Sequence, residues 1–294
     1  MNVGVIGLGA MGAGMARNLA RHDLLGGVWN RTRERAVALA DELEVPVAPV
    51  PDALAEECDV VLTCVAADAD VLEMVDAITP ALEAGKVVVD TSTIGVATVR
   101  DAAERVAATG ARFLDAPVSG GREGAEKGQL VVMVGGDAEA LVQAMPALEA
   151  IAKSVTHMGE SGSGQATKAV NQIMAAGINQ AVSEALAFGQ AMGLDMDRVI
   201  EVVGGGAAGN WFLSHRGPTM VRGVYEPGFK AALHHKDLSL CREMLDDMNV
   251  ALPLVEMTLK HYEKLMEQGH GDEDISALHR LKREMFEQGN KRSL

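Results

Sequence analysis

Val3-Gly4-Val5-Ile6-Gly7-Leu8-Gly9-Ala10-Met11-Gly12, continuing into Ala13-Gly14-Met15-Ala16-Arg17-Asn18-Leu19-Ala20, opens the chain and decides how the rest of it reads. Residues 3–6 are a short β-rich run, and residues 10–20 carry apolar side chains at helical spacing. Between them Gly7, Gly9 and Gly12 fit GxGxxG. Glycines at those positions permit a tight turn and a close approach of backbone to a pyrophosphate, whose charge then faces the helix N-terminus. In a chain with 32 glycines the pattern also arises by accident, and a plain strand-to-helix turn is the competing reading. Its place directly after a strand and before a second βα unit favours a bound dinucleotide.

Outward from this unit the first half alternates β-rich runs (27–29, 60–65, 87–90, 112–116 and 130–134) with helical patterns such as 33–43. Such alternation implies parallel strands with crossover helices, an α/β Rossmann-like doubly wound parallel sheet. Gly159-Glu160-Ser161-Gly162-Ser163-Gly164 reads as a break, and beyond it little resembles strand. Residues 165–192 form a long apolar-periodic run, followed by helical stretches near 197–203, 236–248 and 252–268. The expected organisation is a dinucleotide-binding domain over 1–160 and an all-α domain over 161–294, with a long helix between domains. Gly177 lies inside that helix and costs it about 1 kcal/mol relative to alanine. Residues 288–294 read as a frayed polar tail.

The bulk composition sets limits. At 294 residues and 48% hydrophobic, the chain can bury a sizeable core. Its net charge of −15, from 41 acidic and 26 basic residues, argues against nucleic-acid or polybasic membrane contacts, so anionic ligands must be captured locally. Cys58, Cys64 and Cys241 show no CxxC pairing and are odd in number, which fits a reducing compartment and small core residues. The apolar start lacks a basic segment and is broken by glycines, unlike a signal peptide. No stretch reaches 18 uncharged apolar residues. A cytoplasmic protein without a membrane span is expected.

The tip of the second strand bears on which dinucleotide is bound. An NAD site usually carries a carboxylate there for the ribose 2′-hydroxyl, whereas a 2′-phosphate needs a cation. Here the strand ends in Asn30-Arg31-Thr32-Arg33, with no carboxylate. Arg31 and Thr32 can donate to a phosphate. NADP is therefore preferred, with NAD still open and solvated turn residues as the alternative.

Three further segments carry polar groups. Asp115-Ala116-Pro117-Val118-Ser119-Gly120-Gly121 offers a hydroxyl and consecutive flexible amides able to wrap a small carboxylate, or is a glycine-rich turn without a ligand. Lys168 and Asn171, three residues apart at the start of the long helix, share a face. Such a lysine can donate a proton to a carbonyl oxygen as hydride arrives, or be simply solvated. His234-His235-Lys236-Asp237 lacks the spacing of a metal site, and Lys236 is either a second cation for a ligand or half of a surface pair.

Taken in order, Gly7 to Gly12 with Asn18-Leu19, Asp115 to Gly121, Gly162 to Gln172 and Lys236-Asp237-Leu238 resemble the signatures of the β-hydroxyacid dehydrogenase family. That family includes 3-hydroxyisobutyrate dehydrogenases, tartronate semialdehyde reductases and glyoxylate/succinic semialdehyde reductases, and the resemblance extends to about residue 285. It implies an NAD(P)-binding Rossmann domain and a helical domain that helps form a homodimer or homotetramer. By motif it implies that Lys168 is the catalytic lysine, that Asn171 orients substrate, and that Ser119, Gly120 and Gly121 hold the substrate carboxylate. It further implies Thr93 beside the nicotinamide ribose, Lys236 on substrate or cofactor, Cys64, Val65 and Ala66 on the adenine side, and Leu8, Ala10 and Met11 within the nucleotide loop. Asn30-Arg31-Thr32 is the form typical of the NADPH-using glyoxylate and succinic semialdehyde reductase branch. Gln172 replaces a second asparagine common in the family, and Trp211 and Phe212 stand where subfamilies differ in their pocket wall.

The expected activity is hydride transfer between NADP(H), or NAD(H), and a short β-hydroxy acid or its semialdehyde, a small carboxylate-bearing partner. A non-catalytic NADP-binding module and an imine reductase are the alternatives. Lys168 counts against both.

Overall fold

The computed structural model describes the backbone of residues 1–292 and the side chains through Gln288. The chain divides into two compact units, Met1–Lys168 and the part from Ala169 onward. The first is α/β and the second is helical, the Rossmann-like and all-α organisation read from the sequence.

In the first unit the strands β1 (Val3–Ile6), β2 (Leu25–Trp29), β3 (Val60–Thr63), β4 (Val87–Asp90) and β5 (Arg112–Asp115) are parallel, in the order β2-β1-β3-β4-β5. Alternation along these strands sorts their side chains between two faces. Val3, Val5, Val28, Val60, Leu62, Val87, Val89 and Leu114 pack with helices α1 (Gly12–Arg21) and α2 (Arg33–Leu43). Ile6, Val61, Val88 and Phe113 pack with α3 (Pro51–Glu56), α4 (Asp68–Ile78) and α5 (Val96–Ala107). Apolar side chains on both faces are what near-continuous valine runs require, and they make the sheet doubly wound.

Two features of this sheet differ from expectation. Strand β6 (Val118–Ser119) continues β5 along one edge of β7 (Leu130–Gly136), and both pair with β7 antiparallel. The segment 120–129, which contains helix α6 (Gly121–Lys127), is shorter than the roughly dozen residues that a parallel crossover needs. After α7 (Ala138–Ile151), β8 (Ala152–Gly159) returns parallel to β7. Most of this strand is exposed, so its sequence shows no apolar alternation to mark it; Lys153 on it suits an edge.

Helix α8 (Ser163–Ala191) begins in the first unit and runs on into the second, where α9 (Met196–Gly204), α10 (Trp211–Val221), α11 (Ala231–Asp246), α12 (Pro253–Glu267) and α13 (Leu278–Arg292) follow. Their core gathers Leu186, Phe212, Leu213, Leu238, Leu259, Tyr262 and Leu278. A side chain at Gly177 would bring its Cβ within 3.1 Å of Leu254, so close packing on α12 accounts for the glycine. Helix α10 contains Pro218, which hid it in the sequence; Asn210 caps it by accepting the Leu213 N–H at 2.9 Å. In place of the expected frayed tail over 288–294 the backbone is helical through Arg292, and Ser293 and Leu294 lie outside the described residues.

Candidate active site

Strand register brings the site together in the first unit. Trp29 pairs with Ile6, Ile6 with Thr63, Thr63 with Asp90, and Asp90 with Asp115, so the last residues of five parallel strands stand side by side. Five of the segments predicted to carry function leave from that row: 30–32, 7–12, 64–66, 91–93 and 116–121. The carboxyl edge of an open α/β sheet is where such folds bind ligands.

The glycine turn lies beside the point where the chain, after β2, crosses β1 to form β3. Gly7 has φ +93°, and a Cβ there would lie 2.3 Å from the Cys64 carbonyl oxygen. A Cβ at Gly12 would lie 1.9 Å from the Gly7 carbonyl oxygen. These two glycines are demanded by the turn itself. A Cβ at Gly9 meets nothing within 4 Å, so the protein's own packing does not require that glycine. Its bare backbone leaves the mouth of the turn clear. Helix α1 starts there with no side-chain cap and no acidic residue in its first turn, so its positive end is open to an anion, while the Ala13 N–H already donates to the Gly9 carbonyl at 3.1 Å. The residues present therefore fit a dinucleotide pyrophosphate.

Around this turn the predicted residues take distinct parts. The Asn30 Oδ1 accepts the Leu8 N–H at 2.9 Å and Asn30 Nδ2 donates to the Thr32 carbonyl, so Asn30 ties the tip of β2 to the glycine turn. Arg31 is exposed and hydrogen-bonded to Asp70, with Glu73 3.5 Å away; the hydrogen bond and both charges raise its pKa above that of an ordinary arginine. Cys64 N donates to the Ile6 carbonyl at 2.9 Å, which draws Cys64, Val65 and Ala66 against the turn. The Cys64 thiol is pushed up to about 11, first by burial.

The loop after β4 is braced from beneath. Asp90, fully buried, accepts hydrogen bonds from Thr63 Oγ1 at 2.6 Å and Ser92 Oγ at 2.7 Å, and Ser92 Oγ in turn accepts the Val65 N–H at 2.9 Å. Burial is the main cause that lifts Asp90 to about 6, partly offset by the two hydroxyls and reinforced by the charge of Asp115. Gln165 clamps the same loop, donating to the Ser92 carbonyl at 2.7 Å and accepting the Ile94 N–H at 3.3 Å. Thr93 lies between these anchored residues.

Asp115, at the end of β5, joins two predicted segments. Its carboxylate accepts the N–H groups of Gly162 at 2.8 Å and Gln165 at 2.9 Å, fixing the start of α8. A Cβ at Gly164 would lie 2.5 Å from the Met133 carbonyl oxygen, so only glycine allows this approach. One turn along α8, Lys168 is buried and its Nζ donates to the Val118 carbonyl at 2.9 Å. That carbonyl adjoins Ser119, Gly120 (φ +129°) and Gly121 (φ +60°), which remain partly or fully accessible. The structure thus unites the lysine with the proposed carboxylate loop.

In the second unit, Asn171 Nδ2 donates to Gln172 Oε1 at 2.8 Å, Gln172 Nε2 donates to Asp237 Oδ2 at 2.6 Å, and Lys236 Nζ pairs with Asp237 Oδ1 at 3.1 Å. The polar groups of two separate signatures form one network. Gln172 reaches Asp237 with the amide that a shorter asparagine would also carry. His234 is buried and holds Tyr262 and the Gln172 carbonyl, a structural role. Trp211 is exposed and stacked on His215, while Phe212 is buried in the core of this unit. Sequence reading missed Asp90, Asp115, Gln165 and Asp237 as positioning residues. Asp115 and Asp237 stood inside recognised motifs; their partners lay elsewhere in the chain.

Comparison with known proteins agrees with this fold. Residues 2–159 match the family described as the NAD binding domain of 6-phosphogluconate dehydrogenase, and residues 162–282 the family described as NAD-binding of NADP-dependent 3-hydroxyisobutyrate dehydrogenase. The chain is 37% identical to 2-hydroxy-3-oxopropionate reductase of Escherichia coli, over 95% of this chain and 96% of that one. It is 31% identical to the chloroplastic glyoxylate/succinic semialdehyde reductase 2 of Arabidopsis thaliana, over 95% of this chain and 78% of the relative. Among solved structures, a 3-hydroxyisobutyrate dehydrogenase of Mycobacterium tuberculosis with L-serine superposes with TM-score 0.87 at 32% identity, covering 96% of this chain and 99% of that one. A dinucleotide turn at the head of a doubly wound sheet, a lysine seated on a glycine loop and matches along both units place the chain in the β-hydroxyacid dehydrogenase family of NAD(P)-dependent oxidoreductases.

Proposed function

We propose that this chain interconverts a short β-hydroxy acid and its semialdehyde with NADP(H) as the preferred cofactor. The observation that carries the reading is the contact between Lys168 and the Val118 carbonyl, because it sets a buried lysine against a loop of accessible amides. The bound nicotinamide supplies the hydride in reduction and takes it up in oxidation. The amides of Gly120 and Gly121 and the Ser119 hydroxyl hold the substrate carboxylate, a local anion trap in an acidic protein. Lys168 Nζ gives its proton to the carbonyl oxygen as the carbon is reduced, and recovers it from solvent; in oxidation it removes the hydroxyl proton. Its positive charge beside the developing alkoxide lowers the barrier, and holding both reactants in place supplies proximity. Asn171, held through Gln172 and Asp237, orients the substrate, with Lys236 as a further donor.

Asn30 braces the nucleotide turn, Arg31 and Thr32 receive the 2′-phosphate, and Thr93 with 64–66 lines the ribose and adenine. The names of the relatives support the substrate class: 2-hydroxy-3-oxopropionate, glyoxylate, succinic semialdehyde and 3-hydroxyisobutyrate are all small and carboxylated. The test follows oxidation of NADPH and of NADH against glyoxylate, succinic, tartronate and methylmalonate semialdehydes and a cyclic imine. Turnover of a carboxylated aldehyde, faster with NADPH, is expected. Activity on the imine alone overturns the reading.

A further inference from the structure

Arg31 is not idle in the protein. Its guanidinium reaches away from β2 to the first turns of α4, where it meets Asp70 and lies 3.5 Å from Glu73. The reach is directed at both ends. Asn30 pins the adjoining backbone to Leu8, and Asp68, two residues before Asp70, accepts the Gly95 N–H at 2.8 Å and the Thr98 hydroxyl at 2.7 Å, which anchors the start of α4. The Asp70 side chain is only 22% exposed against 65% for Arg31, so the carboxylate is the more enclosed partner of the pair. One cation there faces two anions. A 2′-phosphate seeking Arg31 must draw it from Asp70 and approach both carboxylates. A 2′-hydroxyl instead finds in Asp70 the acceptor that the tip of β2 lacks, since NAD sites use a carboxylate for that hydroxyl.

We infer that Asp70 is a specificity-determining residue of the cofactor site, a carboxylate supplied from α4 that opposes the 2′-phosphate, accepts the 2′-hydroxyl and so keeps NADH usable. The inference rests on the reading that Arg31 meets the 2′-position. It makes the preference for NADPH the outcome of a contest over one guanidinium, in which Asp70 lowers the margin.

The experiment is isothermal titration of the full chain with NADPH and separately with NADH, in wild type, Asp70→Asn, Arg31→Ala and the double variant. Asp70→Asn keeps shape and removes charge, and the ratio of NADH to NADPH dissociation constants is expected to rise about fivefold, as for one unscreened charge pair near contact in water. The rise shrinks in 0.5 M salt and persists, smaller, when Arg31 is also absent, because Asp70 still acts on the 2′-position directly. An unchanged or lowered ratio in Asp70→Asn overturns the inference. Arg31→Ala weakening both nucleotides equally overturns the underlying placement of Arg31, a failure visible without Asp70. Should Asp70→Asn not fold, Asp70→Ser is measured, with a rise again expected and no rise overturning the inference.

Discussion

Asp115 Oδ2 accepts the backbone N–H of Gln165 at 2.9 Å, so the end of a buried strand holds the start of the helix that bears the lysine. The other oxygen accepts from Gly162, and both are therefore committed. Asp115→Asn replaces one acceptor with an NH₂ group facing an N–H donor. We predict a loss of about 2 kcal/mol in unfolding free energy, the usual size for one buried donor left unmet. Because Lys168 is displaced with the helix, kcat falls as well. Chemical denaturation with steady-state kinetics checks both, and an unchanged midpoint contradicts the bracing role.

Lys168 itself is expected to act at the chemical step. Lys168→Ala should lose about 100-fold or more in kcat, within the range for a positioned proton donor, while its NADPH affinity stays near that of wild type. Lys168→Arg keeps the charge without a readily released proton and should remain slow. A fully active Lys168→Ala removes the assigned role.

The glycine turn makes a contrasting pair of predictions. Gly9→Ala adds a methyl into open space and should leave the melting temperature unchanged while weakening both nucleotides. Gly12→Ala forces a methyl to 1.9 Å from a carbonyl oxygen and should destabilise the fold by about 2 kcal/mol or more. Thermal melts and nucleotide titrations separate the two. Equal melting temperatures for both variants would show that the turn is looser than its geometry requires.

Asp90 predicts a pH dependence. Burial raises it from 3.8 to about 6 in the folded state. Between those values the folded protein keeps a proton that the unfolded chain has lost, so stability declines as pH rises through the window. The cost is absent below about pH 4 and complete above about pH 6, where it amounts to about 3 kcal/mol at most. Asp90→Asn cannot ionise, and its stability relative to wild type should improve by up to that amount between pH 4 and pH 7. A difference independent of pH would place the ionisation of Asp90 outside this range.

Much of this was legible in the sequence, and the reasons are particular. Residues 33–43 read as a helix with the limits of α2 because apolar spacing and polar flanks agree there. Valine runs marked β3 and β4, since strands buried on both faces need apolar residues at every position. The turn at Gly7 to Gly12 was legible because its demands are local. What escaped depends on distance along the chain. Nothing near Asp115 shows that it will meet Gln165, 50 residues away, and Arg31 gives no hint of Asp70, 39 residues on. Ala152–Gly159 stayed hidden for the opposite reason: its neighbour β7, rather than its own pattern, makes it a strand.

The row of strand ends from Trp29 to Asp115 has a consequence for how such a protein diversifies. Each loop springs from its own strand, and the bonds that carry the ladder into it, from the N–H groups of Gly7, Cys64, Thr91 and Ala116, are backbone bonds that do not depend on the loop side chains. Residues 30–32 and 116–121 leave from opposite ends of the five-strand row, so exchange of side chains in one is expected to leave the other in place. On the roles proposed for these loops, a change of reductant and a change of substrate can be made in separate steps. Laboratory transplantation of one loop at a time follows the same route.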